Sequence, residues 1–365
     1  MSGRAALAAA LALVVLPPVA GARLPARPDG WPKRLELGLA NQPGGANSML
    51  REAPFGFRYQ YLAGDVSGQS GWQNWNPNGT FVSRYMRESR RAGVTPVFSW
   101  YVLQHSRPGR GGRTERGAVR AALRDRGFRR AWMDNLALAL RRIGDRRAVI
   151  QIEPDFWGYV QQVHGDRAPR KVRRLARRMV RMRDRLAPRV LLAYHVSIWG
   201  TNTDIVLQNS SRREVRRLGT RAARFYRSLG ARFDLVFGEM DDRDAGYNEV
   251  VNGDGGLSWW TRADYRRHVR FFERFVQVSR RRVVIWQIPL GSRGLDNTHR
   301  RYRDNKVERL LRDPERRWLR RYARAGVIGF LFGAGSSDAT SPDADGGVFY
   351  ESARRYYRRG RLKLR

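Results

Sequence analysis

Eight short apolar runs recur along the chain and alternate with longer stretches in which apolar residues return every three or four positions. A short continuous apolar run is typical of a strand covered on both faces, and the longer spacing is typical of an amphipathic helix. The runs lie at 34–40, 57–63, 94–102, 148–154, 190–197, 233–239, 282–288 and 327–332. The helical patterns lie at 80–92, 115–143, 168–187, 209–229, 260–279 and 300–325, with less regular candidates at 47–52 and 347–360.

Strict alternation of strands with helices predicts a parallel sheet, because each helix carries the chain back to the start of the next strand. Eight strands in this order favour an α/β fold of the closed (β/α)8 type, a TIM barrel, formed as one domain by residues 31–360. An open doubly wound sheet is the alternative. No glycine-rich phosphate loop opens the first helix, which disfavours a dinucleotide-binding version of that sheet.

The first 22 residues have the pattern of a signal peptide. Arg4 supplies a positive start, residues 5–16 an apolar stretch, and residues 20–22 a small-residue cleavage site. The apolar stretch is roughly 12 residues, shorter than the ~20 that span a bilayer. An uncleaved anchor is the alternative. We therefore expect a secreted or extracytoplasmic protein with no transmembrane span in its mature chain.

The chain is strongly basic and lacks cysteine. Lysine and arginine number 71 against 33 aspartates and glutamates, which gives a formal net charge of +38. Such a charge raises the hypothesis of nucleic-acid binding, since clustered cations release counterions from phosphate backbones. The arginines are instead spread over the polar faces of nearly every predicted helix, as in 170–186, which favours a solvated surface. We expect no specific nucleic-acid partner, and non-specific attraction to acidic glycans or anionic surfaces.

Candidate catalytic carboxylates follow the ends of the predicted strands, where barrel enzymes hold their reacting groups. Side chains alternate along a strand, so Gln151, Glu153 and Asp155 should share one face and line the barrel mouth. Strand six ends at Glu239, with Asp242 close behind. We predict Glu153 and Glu239 as the catalytic pair, one as general acid and the other as nucleophile or base. Asp155 and Asp242 are the substitutes, and a structural carboxylate is the alternative reading of Glu153.

Aromatic, amide and imidazole side chains accompany these carboxylates. Two carboxyl groups suit the hydrolysis of a glycosidic bond, in which one protonates the leaving oxygen and the other attacks or activates water. The predicted substrate-binding residues are Asn41, Tyr101, Trp157, His195, Trp199, Tyr247 and Gln287. The set predicts a glycoside hydrolase acting on a poly- or oligosaccharide, with a non-catalytic glycan-binding barrel as the alternative.

Metal and cofactor chemistry are not expected. The five histidines show neither H-x-H nor H-E-x-x-H spacing, so a metal-dependent hydrolase is disfavoured. The absence of cysteine excludes thiol catalysis and cysteine-ligated metals.

The architecture of residues 31–360 resembles the secreted bacterial glycoside-hydrolase barrels. IEPD at 152–155 resembles the Glu-Pro-Asp strand end of exported cellulases that cleave β-1,4-glucan by inversion, although the rest of that signature is not evident. Many barrel glycosidases carry an acid/base glutamate after strand four and a nucleophile after strand seven. Glu153 matches the first position, whereas strand seven offers Gln287. This departure disfavours the common retaining mechanism and directs attention to Glu239.

Overall fold

The computed structural model describes residues 23–66, 70–106, 114–333, 335–336 and 338–365. Within these ranges eight parallel strands pair in chain order, and the first also pairs with the last. The sheet is therefore a closed barrel, and the predicted (β/α)8 fold is confirmed. The candidate signal segment 1–22 lies outside the described residues. None of the described helices combines the length and the apolar character that a membrane span requires.

The strands agree with the apolar runs to within about two residues at each end. They are β1 Glu36–Ala40, β2 Phe57–Ala63, β3 Thr95–Tyr101, β4 Ala148–Ile152, β5 Val190–His195, β6 Leu235–Glu239, β7 Val283–Ile288 and β8 Val327–Phe332. In parallel pairing all carboxyl ends meet at one face of the barrel. The residues that follow β4, β5, β6 and β7 are thus brought to a common mouth.

Twelve α-helices and one π-helical turn, Glu308–Arg312, occur in the described ranges. The α-helices are α1 Ala46–Glu52, α2 Trp72–Trp75, α3 Thr80–Arg91, α4 Glu115–Arg124, α5 Arg126–Ile143, α6 Pro154–His164, α7 Arg170–Leu186, α8 Arg212–Ser228, α9 Ala245–Val250, α10 Arg262–Ser279, α11 Arg317–Ala325 and α12 Val348–Arg358. In α7 the apolar stripe is buried while Arg174, Arg177 and Arg178 are exposed, as the spacing predicts.

The structure corrects the helix assignment at two places that shape the site. The predicted helix 115–143 is divided at Asp125, whose carboxylate accepts from Phe128 N at 2.8 Å and caps α5. Helix α6 was missed by the sequence analysis. It begins at Pro154, directly after β4, with proline at a first-turn position where its missing N–H leaves no hydrogen bond unmade.

Candidate active site

A cavity of about 460 Å³ opens at the carboxyl ends of β4 to β7. Seven of its lining residues carry carboxylates: Glu115, Asp155, Asp204, Glu239, Asp241, Asp242 and Asp254. Four others carry aromatic rings: Tyr159, Trp199, Trp260 and Trp286. Of the residues predicted for substrate binding, His195, Trp199 and Gln287 line this cavity.

Glu239, the last residue of β6, is held by one donor on each carboxylate oxygen. Oε2 contacts His195 Nε2, and Oε1 accepts from the backbone N–H of Ile198 at 3.0 Å. Gln151 Nε2 lies 2.8 Å from His195 Nδ1, and Ser99 donates to the carbonyl of the same amide at 2.7 Å. The Gln151 amide can only donate through its nitrogen, so His195 Nδ1 accepts and Nε2–H donates to Glu239. This chain across β3, β4, β5 and β6 fixes the orientation of the Glu239 carboxylate.

His268 braces the same strand end from the helical layer. Its Nε2 lies 3.0 Å from the carbonyl oxygen of Glu239, and its Nδ1 lies 2.8 Å from the hydroxyl of Tyr322. Burial lowers the pKa of His268 to about 4, so the ring is neutral near pH 7. The backbone of Glu239 is therefore fixed independently of its side chain.

Asp155 lies in the first turn of α6 and faces the cavity. The hydroxyl of Tyr101 at the end of β3 donates to Asp155 Oδ2 at 2.5 Å. Burial raises the pKa of Asp155, and the nearby carboxylates of Glu239 and Asp242 raise it further against the lowering effect of Tyr101 and His195. A carboxyl group in this environment retains its proton to a higher pH than an exposed aspartate does.

The structure places the Glu153 side chain outside the cavity, contrary to the alternation predicted for β4. Its side chain is fully buried and is absent from the cavity wall; it accepts from Trp132 Nε1 at 2.7 Å and from the backbone N–H groups of Val102 and Leu103 at 3.2 and 3.1 Å. The physical reason is a left-handed backbone at Glu153, with φ 41° and ψ 79°, which ends the alternation of β4 one residue early. Burial raises its pKa to about 8, although these hydrogen bonds oppose the shift. Asp155 takes the place in the cavity that was predicted for Glu153.

The other four predicted binding residues are not part of the cavity wall; of these, Tyr101 contacts the wall residue Asp155. Trp157 is fully buried, donates to Ile152 O at 2.8 Å and packs against Phe156. Asn41 braces the loop after β1 by donating to Gly45 O at 3.1 Å. Tyr247 stacks edge-on against Tyr302. Neither of these two residues is part of the lining.

A buried lysine pairs with Asp241 behind the cavity wall and was missed by the sequence analysis. Lys306 Nζ lies 3.1 Å from Asp241 Oδ2 and 3.1 Å from Asp304 Oδ2, and it donates to Ser258 O at 3.2 Å. Burial alone would lower the pKa of Lys306, but the two carboxylates outweigh it and raise that pKa. The motif DNK at 304–306 carried no chemical pattern that would have singled it out. Asp242, by contrast, lines the cavity and pairs with Arg243 at 2.9 Å.

No group of three histidine, aspartate or glutamate side chains in the described ranges is arranged to hold a metal ion.

Comparisons with known proteins identify the fold. Neither a protein-family model nor a curated protein matches the sequence. Among solved structures, the chain is similar to a modular endo-β-1,4-mannanase of glycoside hydrolase family 26 from Cellulomonas fimi, with 11% identity over 88% of this chain and 70% of that chain and a TM-score of 0.54. It is also similar to endo-glycoceramidase II from Rhodococcus sp., with 9% identity over 90% and 80% of the two chains and a TM-score of 0.50.

A family 39 glycoside hydrolase from Bacteroides cellulosilyticus WH2 aligns at 12% identity and a TM-score of 0.46; the alignment covers 88% of this chain and 63% of that one. At such identities similarity shows the fold alone. The resemblance to glycoside-hydrolase barrels is thus confirmed at the level of architecture.

Proposed function

We propose that the chain is a glycoside hydrolase that cleaves O-glycosidic bonds of a poly- or oligosaccharide in the cavity at the carboxyl ends of the strands. One observation carries the proposal. Asp155 and Glu239 line the same aromatic-walled cavity but have different surroundings. The pKa of Asp155 is raised, whereas each carboxylate oxygen of Glu239 accepts a hydrogen bond. Such a difference between two neighbouring carboxyl groups is the usual basis for assigning acid and base roles.

Asp155 is the proposed general acid. Its raised pKa keeps a proton available for the leaving oxygen of the glycosidic bond. Tyr101 holds Oδ2, which orients the carboxyl group and stabilises the carboxylate left after proton transfer.

Glu239 is the proposed nucleophile or base. Its two oxygens receive hydrogen bonds from His195 and from Ile198 N, which fix the direction of the carboxylate. From this position it attacks the anomeric carbon or activates a water molecule. The rings of Trp199 and Tyr159, with centroids 4.8 Å apart, offer a wall on which sugar faces can stack.

Export is part of the same proposal. The signal-peptide pattern of residues 1–22 supports action outside the cytoplasm on a polymeric glycan.

A reducing-sugar screen of the purified protein over neutral, acidic and amino polysaccharides tests the proposal. Asp155→Asn and Glu239→Gln should each lower the rate by about 10³-fold or more while leaving the circular dichroism spectrum unchanged. Glu153→Gln is the matched control, because it removes a neighbouring carboxyl group that lies outside the cavity. Equal activity of the Asp155 variant and the parent would contradict the assignment. Binding of glycans without release of reducing ends would favour the non-catalytic alternative.

A further inference from the structure

The charge of the cavity is opposite to that of the chain. Cationic side chains outnumber acidic ones, 71 to 33, yet within the described part of the chain no arginine or lysine lines this cavity and seven carboxylates do. Asp241 pairs with Lys306 and Asp242 with Arg243. The remaining five carboxylates form no ion pair with a described arginine or lysine. They are Glu115, Asp155, Asp204, Glu239 and Asp254.

Catalysis requires only two of these carboxylates. Asp204 also caps the backbone of Val206 and Leu207 at 2.8 and 2.9 Å, and Asp254 caps Gly256 at 2.8 Å, so both have local structural partners. Glu115 is exposed at the start of α4, and no hydrogen bond or ion pair joins it to another described residue; partial burial and the charges of Asp155 and Asp242 raise its pKa. The start of α4 favours an acidic side chain, but the two neighbouring carboxylates oppose the ionisation of Glu115.

A second observation concerns Trp286, whose side chain lines the cavity and is 2% exposed. Its indole Nε1–H has no hydrogen-bond partner among the described residues. A buried indole N–H normally finds an acceptor, so this one is suited to an oxygen of a bound molecule. The molecule that complements this cavity therefore carries both hydroxyl oxygens and positive charge.

This inference rests on the proposed function. We propose that the substrate is a glycan with free amino groups, that is, a polymer or oligomer of hexosamine units that are not N-acetylated. The ammonium groups would meet the unpaired carboxylates in charge-assisted hydrogen bonds, and the aromatic walls favour cations as well as sugar faces. The acidic field within the cavity attracts such a chain despite the positive charge of the protein as a whole.

The closing experiment compares matched polymers that differ only in charge. The protein is incubated separately with polyglucosamine, with polygalactosamine and with the fully N-acetylated form of each polymer, and the reducing ends released are measured. Binding is measured separately by calorimetry with the Asp155→Asn variant and short oligomers of the same four kinds, at low and high salt. The expected result is cleavage and binding of an amino form at least tenfold better than its N-acetylated form, with binding weakened by salt.

Glu115→Gln should reduce that preference by about fivefold, the effect of removing one charge about 4 Å from a cation in water. Asp145→Asn is the matched control: it removes an exposed carboxylate at the opposite end of β4, where no hydrogen bond or ion pair is described, and should leave the preference unchanged.

The outcomes separate the two proposals. Cleavage of N-acetylated or neutral polymers as fast as the amino forms overturns the charge inference and leaves the hydrolase intact. Selective, salt-sensitive binding of amino oligomers without cleavage of any polymer supports the charge inference and overturns the hydrolase. Equal binding of charged and N-acetylated oligomers overturns the charge inference whatever the activity.

Discussion

Glu153→Gln provides a test of the structure that does not depend on the substrate. The carboxyl group is fully buried and has a pKa raised to about 8, against 4.5 for the unperturbed group. Between these two pH values the folded chain holds a proton that the unfolded chain releases. Stability therefore falls as pH rises through this window, and a shift of this size corresponds to roughly 4 kcal/mol lost between pH 4 and pH 9. Glutamine has no proton to lose, so the variant should lack this component of the pH dependence.

The measurement is the free energy of unfolding by urea at pH values from 5 to 9, for the parent and for the variant. At pH 5 the two should differ by about 1–2 kcal/mol, because the amide still accepts from Trp132 while its NH2 group gains no acceptor. The difference should move in favour of the variant as pH rises. Asp145→Asn controls for the removal of an acidic residue from a basic chain. A constant difference between parent and Glu153→Gln across the whole range would refute the account of Glu153.

Two further substitutions test the framework of the site. Lys306→Met leaves Asp241 and Asp304 uncompensated in the interior, and we expect a loss of about 3–5 kcal/mol by denaturant titration; a loss below ~1 kcal/mol would contradict the ion-pair geometry. Gln151→Leu removes the donor to His195 Nδ1 and frees the ring to adopt the other tautomer. We expect kcat to fall at least tenfold, an effect of ~1.4 kcal/mol, with KM little changed; an unchanged kcat would show that the amide does not position the imidazole.

The fold could be predicted because its determinants are local. Burial of both faces produces the continuous apolar runs, and burial of one stripe produces the helical spacing. The two errors in the helix prediction have a related cause. Helix α6 is apolar on most of its surface, since Phe156, Trp157 and Val160 are all buried, so its pattern lacked the polar positions that mark an amphipathic helix. The division at Asp125 depends on a single capping carboxylate.

The site could be predicted as far as strand alternation holds. His195 and Glu239 are the last residues of regular strands, and both reach the cavity as the pattern predicts. The pattern fails at Glu153 because one left-handed residue redirects the side chain, and no run of hydrophobicity encodes a backbone dihedral. The pairing of Lys306 with Asp241 could not be predicted because Asp241 lies 65 positions earlier, after β6, and the two side chains meet only because β6 and β7 are neighbouring strands.

The acidity of the cavity opposes stability, which leads to a last prediction about Glu115. Burial and the charges of Asp155 and Asp242 raise its pKa, so its ionisation disfavours folding as pH rises through that raised value. Glu115→Gln should therefore raise the melting temperature slightly at pH 7, within the ~0.5 kcal/mol typical of surface changes, and should have a smaller effect at pH 4, where the glutamate is mostly protonated. The same variant should bind amino oligosaccharides less tightly. Differential scanning calorimetry at the two pH values, beside the binding titration, measures both effects. A gain in stability that coincides with a loss in binding is expected of a residue retained for recognition. A loss of stability at pH 7 would instead show that Glu115 is held by structural contacts, and it would remove the reason to assign this residue to substrate binding.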